Sequence, residues 1–228
     1  MQLNEIIRHG AGFAIVEPSD LATLSEFRDG LISRTGTKNL DDLRQTISQL
    51  PNSEINQMMV KLLSFTEASS LIAAAFRTTV EALCGDQLLL QRRANVIMNL
   101  PGDKQRRQWP HYEMMSGISP TTFTLWMPLH DLDDDGGIFY VDDEESNHIM
   151  HEEHSKGLVN SPYILDLLGD RAPSRLKYGQ AIVFNPFVIH GNVAFASNLA
   201  RIAVSIRFQS ISDPIFQKNT DFFKSFYF

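Results

Sequence analysis

Two histidines and a glutamate have the residue types and spacing of a metal centre. His111 and Glu113 are separated by one residue, and His190 follows far downstream. If residues 109–115 are extended, side chains alternate across the strand, so His111 and Glu113 point to one side and Tyr112 to the other. Two ligands from one strand and a third from a distant strand would occupy one face of a metal ion. The opposite positions would stay open, as in 2-His-1-carboxylate non-haem iron sites.

An arginine lies eleven residues after the second histidine. Arg201 begins the segment 201–209, in which polar and apolar residues alternate as they do in a strand. A guanidinium is planar and always charged, so in the interior of a barrel it needs a carboxylate partner. We expect this partner to be the distal carboxylate of 2-oxoglutarate.

These four residues carry a family resemblance that runs from about residue 92 to residue 209. The sequence resembles the phytanoyl-CoA-dioxygenase-like iron(II)/2-oxoglutarate oxygenases, whose pattern is His-x-Asp/Glu, a long gap, His, and then Arg about eleven residues on. His111, Glu113, His190 and Arg201 match it, with Glu113 where aspartate is commoner. Asn198 and Arg201 also match the Asn-x-x-Arg ending of the family.

Two further stretches resemble this family. Residues 124–129, followed by Gly136 and Gly137, look like its tryptophan-bearing strand and glycine-containing turn. Residues 176–184 resemble the strand that leads to its second histidine, with Gln180 where aspartate is usual. The Gly-Ser-His triplet of the family is missing after Val141.

The resemblance implies a reaction and a set of site residues. Iron(II) would bind His111, Glu113 and His190, and 2-oxoglutarate would chelate the iron and pair with Arg201. The co-substrate pocket would be lined by Trp126 and by Thr124, Asn99 or Ser205. With O₂ the enzyme would hydroxylate a small polar metabolite and release succinate and CO₂. Two alternatives stay open: a cupin-type metal enzyme that is not oxidative, and a barrel that is an interaction module without catalysis.

The spacing of apolar residues changes along the chain and predicts the fold. Residues 1–90 show mostly helical spacing, whereas residues 91–210 show the two-residue alternation of strands, and residues 211–228 form a C-terminal extension. We therefore predict one domain, residues 1–228, that is mostly β with an N-terminal helical layer. Together with the ligand pattern, the alternation indicates a double-stranded β-helix, which is a jelly-roll or cupin-like barrel. A sheet with one solvated face would show the same alternation.

Composition excludes several classes of protein. The chain has 228 residues, of which 43% are hydrophobic, enough for a full core. A net charge of −7 without a basic run argues against nucleic acid as a partner. The lone cysteine, Cys84, excludes an internal disulfide and lies on an apolar helical stripe, so we predict a core residue. Neither a signal peptide nor a membrane-spanning stretch is visible, and we expect a cytoplasmic protein.

An acidic segment could be a second metal site. Asp131, Asp133, Asp135 and Asp142 match several positions of an EF-hand loop, but strand-like residues precede them and the last position lacks the glutamate. A solvated turn between two strands explains them better. The remaining alternative is a rim that contacts a cationic group of the substrate.

Histidines and arginines near the site also have alternative interpretations. His148, His151 and His154 are spaced along one flank of a helix, which we interpret as a surface helix or lid. Arg106 and Arg107 precede the first ligand and suit either a solvated pair or contact with an anionic substrate. We expect the partner of this protein to be a small molecule that carries a carboxylate or phosphate.

Overall fold

The computed structural model describes residues 2–101, 110–133, 137–155, 171–192, 197–215 and 223–228. The helices are α1 (Leu3–His9), α2 (Leu21–Ser33), α3 (Leu40–Gln49), α4 (Asn52–Leu63), α5 (Ala68–Ala75), α6 (Arg77–Cys84) and α7 (Asp143–Ser155), with a 3₁₀ helix at Glu113–Ser116. The strands are β1 (Phe13–Val16), β2 (Gln87–Gln91), β3 (Asn95–Asn99), β4 (Phe123–Pro128), β5 (Ile138–Tyr140), β6 (Ala181–Phe184), β7 (His190–Asn192), β8 (Arg201–Ser210) and β9 (Phe223–Tyr227).

The N-terminal helices form a layer on one face of the sheet, as predicted. Local sequence explains several of their ends. Asn39 caps α3 by accepting the backbone N–H of Asp42 at 2.9 Å, and Gly85 ends α6 with a φ of +78°. The apolar stripes of these helices pack in one core cluster with strand residues of the sheet. Cys84 is buried in this cluster, in agreement with the prediction of a core residue.

The strands form two antiparallel sheets. The larger one has seven strands in the order β1-β6-β4-β8-β2-β9, with β3 also paired to β8, and the smaller one consists of β5 and β7. Among the described residues these sheets do not close into a barrel. Helices also hold more of these residues than strands do, so "mostly β" is corrected to a mixed fold of helices and antiparallel sheet. The helices of the first ninety residues, together with α7, are the reason why the fold is mixed and not mostly β.

Strand β8 lies at the centre of the larger sheet and has two different faces. Its apolar residues Ile202, Val204, Ile206 and Phe208 pack in the cluster shared with the helices. The intervening positions Arg201, Ala203, Ser205 and Arg207 therefore face the other side of the sheet. The two-residue alternation predicted this separation, and it directs the polar residues of β8 toward β7 and the ligand residues.

Within the described ranges, no single helix is long and apolar enough to cross a membrane. One bent pair, Ser53–Leu63 with Ala68–Ala75, has the length and composition only when both helices are taken together.

Candidate metal and co-substrate site

The two histidines are adjacent because their backbones pair. His111 and His190 form an isolated antiparallel bridge in which each N–H donates to the carbonyl of the other at 2.9 Å. Their rings lie 4.3 Å apart between centroids. Gly191 permits the approach, since a Cβ there would lie 3.1 Å from the Phe139 ring and from Cα of Pro110. A side chain at position 191 would require Phe139 or Pro110 to move by a few tenths of an ångström.

Glu113 lies near the histidines, but its backbone conformation differs from the one predicted from the sequence. The expectation of an extended segment over 109–115 is wrong from Glu113 onward, because this residue begins the 3₁₀ helix. The N–H of Met114 donates to the carbonyl of Pro186 at 3.2 Å, which turns the chain toward the loop before β7. Trp109 lies outside the described residues. Tyr112 packs among apolar residues on the opposite side, as expected.

The structure brings together the three residues predicted as ligands. One ligand atom each of His111, Glu113 and His190 lies within 4.8 Å of the others. Glu113 is only 5% exposed and His190 only 3%. Two imidazoles and one carboxylate at this separation suit a divalent cation such as iron(II). In the part of the chain that the structure describes, no other group of three such residues is close enough to do so.

The surroundings of His190 favour the neutral ring form that can bind a metal through Nε2. Its Nδ1 lies 3.0 Å from the carbonyl oxygen of Val188. Because a carbonyl only accepts, Nδ1 carries the proton, and Nε2 keeps its lone pair 3.7 Å from Oε1 of Glu113. Burial, together with the nearby His111, holds the pKa of His190 well below its usual value. The ring is therefore neutral at pH 7, as a metal ligand must be.

Arg207 is a site residue that the sequence analysis missed. Its Nε donates to Oε2 of Glu113 at 2.9 Å, and its Nη2 donates to the same oxygen. The alternation of β8 could have identified it, since Arg207 is on the same face as Arg201 and Ser205. Its partner could not be predicted from this alternation, because Glu113 lies in a segment outside the sheet.

Arg201 is buried and only 1% exposed. Its Nη1 donates to the carbonyl of Gly137 at 2.7 Å, and its Nη2 donates to Asn192 Oδ1 at 2.6 Å and to Asn99 Oδ1. All three acceptors are neutral, and no carboxylate among the described residues pairs with this guanidinium. Burial lowers the pKa of Arg201 to about 10.

A cavity of about 260 Å³ lies next to the three ligands. It is lined by the three candidate ligands, three predicted pocket residues, the polar residues Arg207 and Asn95, and four apolar side chains: His111, Glu113, His190, Thr124, Trp126, Ser205, Arg207, Asn95, Val96, Ile97, Ile138 and Phe184. Arg201 and Asn99 do not line it directly. The guanidinium of Arg201 lies 5.8 Å from the ring centroid of Trp126, which does line the cavity.

The buried polar atoms that have no hydrogen-bond partner among the described residues include the following four. Thr124 Oγ1 and Trp126 Nε1 belong to residues that line this cavity, whereas Tyr140 Oη and Arg201 Nε belong to residues that do not. A buried polar group without a partner is costly, so such atoms indicate a polar ligand or water. A dicarboxylate such as 2-oxoglutarate offers the acceptors that Trp126 Nε1 and Arg201 Nε lack. The residues present therefore fit this co-substrate.

Tyr140 is the second residue that the sequence analysis missed. It lies opposite His190 in the pairing of β5 with β7, and its ring is nearly parallel to that of His190 at 5.9 Å. Burial raises the pKa of its phenol well above the usual value, and the Arg201 charge opposes this rise. A lone tyrosine after Ile138 and Phe139 carries no sequence signal for this role.

The other candidate clusters do not form a second metal site where the structure describes them. Asp131 accepts the N–H of Tyr178 at 2.8 Å, and both Asp131 and Asp133 pair with Lys177 in an exposed turn. The first hydrogen bond lowers the pKa of Asp131. Asp142 accepts the N–H of Glu145 at the start of α7. Asp134, Asp135 and Gly136 lie outside the described residues, as do Arg106 and Arg107.

The histidines of α7 are exposed on the surface of that helix, as the sequence analysis expected. His148, His151 and His154 do not form a close ligand group. His154 approaches the hydroxyl of Tyr112 at 3.4 Å.

Asn185 connects the loop before His190 to distant parts of the chain. Its Nδ2 donates to the carbonyl of Ile7 in α1 and to Oδ1 of Asp143 at the start of α7, both at 3.0 Å. Its Oδ1 accepts the backbone N–H groups of Phe187 and Val188. These contacts use both ends of a buried amide, so the loop is held against two helices.

Comparison of the structure with solved structures gives many similar folds. The α-ketoglutarate-dependent non-haem epimerase SnoN from nogalamycin biosynthesis has a TM-score of 0.55 and 15% identity, over 96% of this chain and 86% of its own. The carbocyclase SnoK from the same biosynthesis gives 0.55 and 13%, over 97% and 94%. EctD from S. alaskensis with bound Fe gives 0.53 and 16%, over 91% and 75%.

Sequence comparisons add nothing to this likeness. No family model matches the chain, and no curated protein matches it. The structural neighbours therefore show the fold: the chain has the mixed helical and antiparallel architecture shared by several non-haem iron, α-ketoglutarate-dependent enzymes.

Proposed function

We propose that this protein is an iron(II)- and 2-oxoglutarate-dependent oxygenase that hydroxylates a small polar metabolite. The observation that carries the proposal is the cluster of His111, Glu113 and His190 within 4.8 Å, together with the buried Arg201, which has no carboxylate partner among the described residues. The proposed relatives are the phytanoyl-CoA-dioxygenase-like oxygenases, and the proposed core is their double-stranded β-helix.

Different residues would have different roles in such a reaction. His111, Glu113 and His190 would hold the metal, and Arg201 would bind the distal carboxylate of 2-oxoglutarate. Bound iron(II), with 2-oxoglutarate and O₂, supplies the oxidising chemistry, and succinate and CO₂ are released. Trp126 and Tyr140 would orient the co-substrate through Nε1 and Oη. The apolar walls Ile138 and Phe184 would exclude water from the reacting atoms.

The substrate we propose carries a carboxylate or phosphate. Support comes from the sequence, where Arg106 and Arg107 precede the first ligand in a chain of net charge −7. The opposing acidic turn is partly neutralised, because Lys177 pairs with both Asp131 and Asp133. This leaves the arginine pair as the better candidate for substrate recognition.

An anaerobic titration with iron(II) and then 2-oxoglutarate tests the reaction class. We expect the weak visible charge-transfer band of the iron chelate to appear only with both added. Metal binding without this band would support the cupin-type alternative, and no metal binding would support an interaction module. A screen of amino acids, sugar phosphates and nucleotide-linked sugars for succinate release then tests the substrate class.

For the hit from that screen, changing Arg106 and Arg107 to alanine should raise KM and leave uncoupled 2-oxoglutarate decay unchanged. The proposal of an anionic substrate would be contradicted by a neutral or cationic hit whose KM is unchanged by both arginine substitutions but is raised by Asp133→Asn.

A further inference from the structure

The two carboxylate oxygens of Glu113 face different partners. Oε2 receives two N–H groups of Arg207, from Nε at 2.9 Å and from Nη2. Oε1 is on the side of the histidines, 3.7 Å from Nε2 of His190. A carboxylate oxygen offers two lone-pair sites, so the guanidinium uses both sites of Oε2. Only Oε1 is left to bind a metal beside His111 and His190.

Arg207 is itself held in place by the sheet. Its backbone N–H donates to Oε1 of Gln91 at 3.0 Å, and it lies opposite Thr124 in the pairing of β8 with β4. The amide nitrogen of Gln91 donates in turn to Arg93 O at 2.7 Å and to Asn95 Oδ1 at 3.0 Å. The Arg207 side chain is 14% exposed, so water competes little for its N–H groups.

Glu113 cannot easily rotate away from this arrangement. The N–H of Met114 is tied to Pro186, and Ser116 Oγ donates to the carbonyl of Glu113 at 2.6 Å. With the backbone fixed and the side chain buried, the orientation of the carboxylate depends on Arg207.

We propose that Arg207 is a positioning residue that restricts Glu113 to a single metal-binding atom, Oε1. This inference rests on the proposed function. An octahedral ion held by three single ligand atoms keeps three positions open, as a chelating keto acid and O₂ together require. A carboxylate that bound through both oxygens would fill one of these positions.

The test counts water molecules on the metal, so it needs neither turnover nor co-substrate. The protein is loaded with Mn²⁺ alone, and water-proton relaxation gives the number of exchangeable waters per bound ion. We expect about three in the unchanged protein and about two in Arg207→Gln, a fall in relaxivity of about a third. Arg207→Lys keeps a cation near Oε2 and should stay close to the unchanged protein.

Arg77→Gln is the matched control. Arg77 donates to Glu81 at 2.7 Å on the exposed surface of α6, so the same substitution breaks an arginine–glutamate pair away from the site. Its water count should not change. Arg77→Gln should also keep the Mn²⁺ affinity, whereas Arg207→Gln should lower it by roughly 10–100-fold, the usual effect of losing a partner of a metal ligand.

Each outcome decides the inference. Two waters in the unchanged protein would overturn it, and this measurement needs no variant to fold. Three waters in folded Arg207→Gln at full occupancy would also overturn it and leave Arg207 as a residue that only stabilises the fold. If the unchanged protein binds no Mn²⁺ at all, both proposals fail. If the water counts are as expected but 2-oxoglutarate does not bind, the proposed function fails and the role of Arg207 stands.

Discussion

His111 and His190 are joined by their main chains and not by their side chains. Each backbone N–H donates to the carbonyl of the other residue at 2.9 Å, so the backbone pairing by itself places the two imidazoles side by side. Removal of either side chain leaves this bridge intact. Substitution of a ligand should therefore change metal binding far more than the fold.

The first prediction concerns the metal. His111→Ala or His190→Ala should abolish iron(II) binding and 2-oxoglutarate turnover, since two remaining ligands rarely hold iron(II) against its hydration. The thermal midpoint of the metal-free protein should fall less for His111→Ala than for His190→Ala, because the His190 ring is buried and donates to Val188 O. Anaerobic iron(II) titration measures the binding, with His151→Ala on the exposed surface of α7 as the control. Loss of iron(II) binding in His151→Ala but not in the other two variants would indicate that the metal binds on α7.

The second prediction concerns the co-substrate. Arg201→Ala should weaken 2-oxoglutarate binding by roughly 2–5 kcal/mol, because it leaves a carboxylate unpaired in a buried pocket. Iron(II) affinity should change much less, since the guanidinium contacts none of the three ligands. The change should also lower stability, because Gly137 O and Asn192 Oδ1 each lose a donor.

The controls for Arg201 separate these two effects. Arg201→Lys keeps the charge but loses the planar fork, so it should retain part of the affinity. Arg77→Ala should leave both affinities unchanged. A folded Arg201→Ala protein with normal 2-oxoglutarate affinity would support the cupin-type alternative.

The third prediction concerns Tyr140. Its hydroxyl has no partner among the described residues, so Tyr140→Phe should not destabilise the metal-free protein and should even stabilise it slightly. The affinity for 2-oxoglutarate should fall by about 0.5–1.5 kcal/mol, the usual contribution of one hydrogen bond. Tyr178→Phe is the control, because its hydroxyl already has a partner, the carbonyl of Leu24 in α2. Reduced stability with unchanged affinity would show that the hydroxyl supports only the fold.

The fourth prediction concerns Cys84. Burial raises the pKa of its thiol to about 12 from a usual value near 9.0. Between these two pKa values the unfolded chain loses a proton that the folded chain retains. The free energy of unfolding therefore falls as the pH rises across this interval, at most by roughly 1.4 kcal/mol per pH unit. Cys84→Ala should reduce this slope in denaturant unfolding. A thiol reagent at pH 8 should react only after unfolding, and rapid reaction of the native protein would contradict the burial.

The sequence predicted much of what depends on spacing. The alternation along β8 separated its helix-facing residues from Arg201 and Ser205, and the His-x-Glu pattern with a distant histidine predicted a cluster that the structure brings together. These inferences need only the period of a strand and the chemistry of side chains. Which residues then coordinate the metal stays a prediction.

What the sequence did not predict depends on contacts between distant segments. The 3₁₀ helix at Glu113 forms because Met114 bonds to Pro186, more than seventy positions away. Arg207 and Tyr140 become site residues only through the pairing of β8 with β4 and of β5 with β7. Periodicity gives the faces of a strand, but it does not give the register in which strands meet.

The hydrogen bonds of Asn185 have a consequence for how this site is assembled. The loop that presents His190 is held by an amide that also bonds to Ile7 in α1 and to Asp143 in α7. The loop before His190 is thus tied to the first helix of the chain, although no residue of that helix lines the cavity. We therefore expect that shortening or tagging the protein at its N-terminus alters the candidate metal site from a distance.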